Sequence, residues 1–98
     1  MNVYAQFVNF EAVINVKNRK EYEAFCDRCE KMGLSPIKNF RKISFLNLHM
    51  SAGMLKIPIG ECCIEYQPYQ GFTMGSIKSY RNYGLRIASV DEFLEATN

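Results

Sequence analysis

The sequence predicts a single α+β domain: a mostly antiparallel sheet packed with one main helix over about 18–32 and a short C-terminal helix over about 89–97. Three observations predict it. Apolar residues recur at helical spacing in only one long stretch, whereas several shorter apolar runs are bounded by Gly and Pro as strands are. Their order is strand, helix, strands, short helix, strand, helix, which is a segregated arrangement and not a regular alternation of parallel units. At 98 residues the chain fits one core and no more, and 48% apolar against 22% charged residues is too rich for a disordered chain.

Residues 2–16, NVYAQFVNFEAVINV, contain Val, Phe, Tyr and Ile and neither Gly nor Pro, so they read as extended chain. The alternation breaks around Asn9 to Glu11, which predicts one long strand with a bulge there, or two short strands joined by a tight turn. Asn18 with Glu21 three residues on forms a helix N-cap. Tyr22, Phe25, Cys26, Cys29 and Met32 then share one face and are expected to meet the sheet, with Gly33 ending the helix. After Ser35-Pro36, residues 43–48 suggest a strand and 49–60 a longer connection. Cys62 to Tyr66, a turn at Pro68 to Gly71, and Phe72 to Met74 form a hairpin. Ser76 caps a short helix carrying Ile77 and Tyr80 and closed by Gly84, and Leu85 to Ala88 is a strand. Ser89-Val-Asp-Glu92 is a capping box that opens the last helix, burying Val90, Phe93 and Leu94.

Four cysteines, placed as Cys26-Asp-Arg-Cys29 and Cys62-Cys63, form the most informative pattern. The absence of a leader-like start and of any membrane-length apolar run predicts a cytoplasmic protein, where cysteines are thiols or metal ligands. Positions i and i+3 of a helix can direct two sulfurs at one ion, so Cys26 and Cys29, completed by Cys62 and Cys63 or by one of these with His49, are candidate ligands of a structural zinc. The competing reading is core packing, because Cys26 and Cys29 lie on the apolar stripe and adjacent strand residues face opposite ways.

His49 is the single histidine, and no nucleophile motif or Gly-rich phosphate loop accompanies it, so the chain is not expected to be an enzyme. A net charge of +2 falls short of a dedicated nucleic-acid binder. Locally, however, eight Lys or Arg stand against four acids in 17–42, and later basic residues alternate with tyrosines. Lys38, Arg41, Lys42, Tyr69, Lys78, Arg81, Tyr83 and Arg86 are therefore candidate partner contacts, for a protein interface or for single-stranded nucleic acid.

Residues 71–96, GFTMGSIKSYRNYGLRIASVDEFLEA, resemble the end of many small phage and prophage proteins: a short strand, an aromatic-bearing helical turn, Gly, a strand and a capped helix. The segment KNRKEYEAFCDRCEKMGL is similar to their main helix. This resemblance implies a viral protein of the anti-CRISPR type, some of which bind zinc. Such a protein acts in the host cytoplasm by binding a host defence protein such as a CRISPR nuclease. A nucleic-acid or nucleotide-binding module is the alternative reading.

Overall fold

Asn2 decides how the chain begins. Its side chain accepts the Ala5 amide at 2.9 Å, the N-cap interaction that favours helix over strand, and α1 runs Val3–Val8. The expectation of extended chain over 2–16 is thus corrected: only β1, Ala12–Val16, is a strand. The strand preference of Val, Phe and Tyr is a preference for half-buried packing and yields to tertiary context. Here the spacing of Val3 and Phe7 buries both on one helical face. A turn is present at Asn9 to Glu11, where a bulge or a turn between strands is expected, but it joins a helix to a strand. The Glu11 amide donates to the Gln6 carbonyl at 2.8 Å, and Phe10 takes φ +58°, the one left-handed non-glycine among the described residues.

The computed structural model describes residues 2–34, 57 and 60–98. The strand expected at 43–48 and most of the connection at 49–60 lie outside them. Helix α2 spans Arg19–Lys31, with the Asn18 side chain accepting the Glu21 amide at 2.9 Å and the Glu21 carboxylate accepting the Lys17 amide. Tyr22, Phe25, Cys26 and Cys29 are buried as the spacing predicts. Met32 is not: it is the C-cap and 37% exposed, because the helix ends before that turn can reach the sheet.

β2 (Cys62–Gln67) and β3 (Gly71–Ser76) form the hairpin. Helix α3 (Ile77–Asn82) is capped by Ser76, β4 covers Arg86–Ser89, and α4 (Val90–Ala96) opens with the complete Ser89–Glu92 capping box. The sheet order is β3-β2-β1-β4. Two of its pairings are antiparallel, and β4 joins β1 in parallel, Ile14 opposite Ala88. All five residues of β1 are buried, as a central strand's are.

Strand alternation gives the sheet two unlike faces. Ile14, Val16, Cys62, Ile64 and Ala88 face α1, α2 and α4 in the main core, with Tyr66, Phe72 and Met74 at its margin. Its centre is aromatic: Phe7 meets Phe25 at 5.7 Å and Phe93 at 5.4 Å, both edge-on, and Phe25 meets Phe93 at 5.0 Å. Arg28, which the sequence places on the charged side of its helix, donates to the Leu94 carbonyl and to Thr97 Oγ1, both at 2.8 Å. It thereby caps the C-terminus of α4, where a cation is favoured. The opposite face holds a smaller cluster of Val13, Cys63 and Tyr80, with Ile77, Leu85 and Ile87 at its edge.

Candidate functional site

The register brings three separate parts of the chain to one end of the sheet. β1 and β4 begin there, and β2, antiparallel to β1, ends there. Phe10 precedes β1, the turn carrying Tyr69 follows β2, and Tyr83 precedes β4. Among the described residues four large hydrophobic side chains are exposed: Phe10, Met32, Tyr69 and Tyr83. Three of the four emerge at this one end, and Tyr69 is wholly exposed.

Two of the three, Phe10 and Tyr83, line an open cleft of about 530 Å³ together with Glu65, Gln67, Tyr80 and Leu85. Glu65 and Gln67 point into it because they alternate with Ile64 and Tyr66, which face the main core. Tyr80 reaches across from α3. Its hydroxyl donates to Glu65 Oε1 at 2.8 Å, and Gln67 Nε2 donates to Glu65 Oε2 at 2.9 Å. Burial, the hydrogen bond to Glu65 and the charge of Glu65 all raise the Tyr80 phenol above its ordinary range, so it remains a donor. Gly75 makes the approach possible: a Cβ there would sit 2.7 Å from the Tyr80 ring. The result is a carboxylate held in place by two neutral donors on an aromatic-lined floor.

The cysteines divide between the two faces. Cys26, Cys29 and Cys62 belong to the main core, whereas Cys63 belongs to the smaller cluster on the other side. The set of four sulfurs around one ion is therefore not assembled, because Cys62 and Cys63 are adjacent in a regular strand. Among the described residues no three His, Cys, Asp or Glu side chains are grouped to hold a metal, and His49 lies outside those residues. None of the four cysteines is in a disulfide, and all four are buried. Burial, reinforced by Cys26 and Glu30, pushes the Cys29 thiol well up. Burial followed by the effect of Cys63 raises Cys62 to about 12. Cys63 is raised by burial to about 11, although its hydrogen bond with Asn15 and the charge of Arg81 oppose the shift. At neutral pH such thiols are protonated and weak as nucleophiles. Asn15, the one buried polar side chain among the described residues, also donates to the Gly60 and Cys62 carbonyls at 3.1 and 3.0 Å and so fixes the start of β2.

Of the candidate contacts read from the sequence, Tyr69, Lys78, Arg81 and Tyr83 are exposed. Lys38, Arg41 and Lys42 lie outside the described residues. Arg86 is exposed but internally engaged, donating to Gln6 Oε1 and pairing with Glu92. Phe10, Glu65 and Gln67 are new to the site. The signal for Glu65 was available in principle, as a lone carboxylate between Ile64 and Tyr66 in an apolar strand. Compared with protein-family models, curated proteins and solved structures, the chain finds no match. Among the described residues no helix is long and apolar enough to cross a membrane.

Proposed function

We propose that this chain is a binding protein of phage or mobile-element type, an inhibitor that occludes the surface of a host defence nuclease and performs no chemistry of its own. The observation that carries the binding reading is the gathering of Phe10, Tyr69 and Tyr83 at one end of the sheet, where Phe10 and Tyr83 line an open cleft. Exposed aromatics collected in one patch mark interaction surfaces, since Tyr in particular supplies large contact area with few rotatable bonds. The nuclease as partner follows from the resemblance of residues 71–96 to small phage proteins. The test is phage plating on a host with active CRISPR immunity. Expression of the wild-type chain should restore plaques, and the Tyr69→Ala/Tyr83→Ala chain, at equal abundance, should not. Equal plating with and without the wild-type chain, across hosts that carry each nuclease type, retires the inhibitor reading.

A nucleic-acid module is the second reading, supported by exposed Lys78 and Arg81 on α3. The Glu65 carboxylate in the cleft opposes a phosphate there. Affinity for single-stranded DNA that falls steeply with salt would favour it. The structural zinc is a separate proposal, settled by elemental analysis of protein purified without chelator. About one zinc per chain supports it, and none retires it.

A further inference from the structure

The geometry points to a recognition pocket for an arginine side chain of the protein partner, centred on Glu65. This inference rests on the binding reading above and names the chemistry of the group that would enter the cleft. Glu65 presents both carboxylate oxygens, and each has accepted one hydrogen bond, from Tyr80 and from Gln67. An ionised carboxylate oxygen accepts about two, so among the described residues one position remains on each oxygen. That is the pattern a guanidinium fills with two parallel N–H groups, whereas an ammonium is a point charge with no such fork.

Among the described residues the charge is also unanswered. The two groups bonded to Glu65 are neutral, no described cation pairs with it, and no Lys or Arg is among the described residues lining the cleft. Around it stand Phe10, Tyr80 and Tyr83, whose ring faces attract a cation and stack on a planar one. Phe10 holds its place with φ +58°. A bulky residue in the left-handed region is an energetic cost to the fold, and such costs cluster at ligand sites. The Tyr80 hydroxyl and Gln67 amide fix the carboxylate before anything binds, which lowers the cost of ordering it on association.

The probe is a short blocked peptide with a central arginine flanked by leucines, titrated into the ¹⁵N-labelled full chain and followed by NMR. Matched peptides carry citrulline, the neutral isostere, or lysine at the centre, and free guanidinium is titrated separately. Saturable shifts are expected at the amides of Phe10, Glu65, Tyr83 and Leu85, with the arginine peptide at least ~10-fold tighter than the citrulline peptide and tighter than the lysine peptide. Glu65→Gln, whose amide oxygen still accepts from Tyr80, should weaken the arginine peptide by ~10-fold or more without moving the melting temperature appreciably. Tyr83→Ala, a change at an exposed ring, should weaken it by several-fold. Equal binding of arginine and citrulline peptides, an unchanged Glu65→Gln, or shifts located elsewhere overturns the inference. Free guanidinium that binds as tightly as the peptide also overturns it, by assigning the cleft to a small cation. Phage protection that persists without arginine binding removes the pocket alone. Arginine binding without protection removes the inhibitor reading alone.

Discussion

The two faces of the sheet are built from the same strands and have opposite characters. Among the described residues, Cys62, Ile64 and Tyr66 of β2 face three helices and an aromatic cluster, while Cys63, Glu65 and Gln67 face one short helix and an open cleft. Along β1 the division is Ile14 and Val16 against Val13 and Asn15. A period of two is enough to send every second residue to a different task. The covered face supplies most of the buried apolar area and hence most of the stability. Among the described residues the other face is covered where Tyr80 crosses it, with Ile77, Leu85 and Ile87 at the edge.

The largest expected effect lies on the covered face. Phe7 is fully buried and touches Phe25, Phe93, Tyr66 and Phe72 by ring contacts. Phe7→Ala should cost about 3–5 kcal/mol in urea unfolding, the range for truncating a core aromatic. A loss below about 1 kcal/mol would show that α1 is not part of the core.

On the other face the largest expected effect is at Gly75. Adding one methyl group forces it to within 2.7 Å of Tyr80 Cε2, and the ring must leave its seat over the sheet. Gly75→Ala should destabilise by about 1–3 kcal/mol, the cost of overpacking. It should also disturb the Tyr80–Glu65 hydrogen bond, so the NMR signals of Glu65 and Gln67 should shift with it. A neutral effect on both would mean that Tyr80 does not cross the sheet at that point.

A smaller effect sharpens the contrast through pH. Cys63 has an ordinary value of 9.0 and is raised to about 11 in the folded chain. The folded state therefore holds a proton that the unfolded state releases above pH 9, so stability is full below pH 9 and falls as pH rises toward 11. Cys62, raised to about 12, acts with the same sign and extends the window upward. Melting temperature should decline from pH 9 to 11, and Cys63→Ser, which keeps a polar group beside Asn15, should decline less steeply. Parallel slopes for the two chains would remove Cys63 from the account.

How far the sequence could be read follows from where the information lies. Helix α2 and helix α4 are local: their caps and apolar spacing sit within one stretch, and Tyr22, Phe25, Cys26, Cys29, Val90 and Phe93 are buried as that spacing requires. Helix α1 is not legible in the sequence because Val, Tyr and Phe favour strands, while the deciding facts are a single cap at Asn2 and the seat of Phe7 between α2 and α4. The parallel pairing of β1 with β4 joins residues more than seventy positions apart and leaves no local mark. The cleft was illegible for the same reason. Tyr69 and Tyr83 could be picked out as amphipathic residues in turns, but Phe10 and Glu65 join them only through the register of β1, β2 and β4.

The aromatics of the open end are expected to serve contact and not folding. The most direct measurement is the unfolding free energy of the Tyr69→Ala/Tyr83→Ala chain against the wild type, by urea titration under identical conditions. Both rings are largely exposed, so the difference should stay within about 0.5 kcal/mol for each surface substitution. A loss of about 3 kcal/mol or more, the size expected of a core aromatic, would place these rings inside the fold and remove the surface on which the binding function stands.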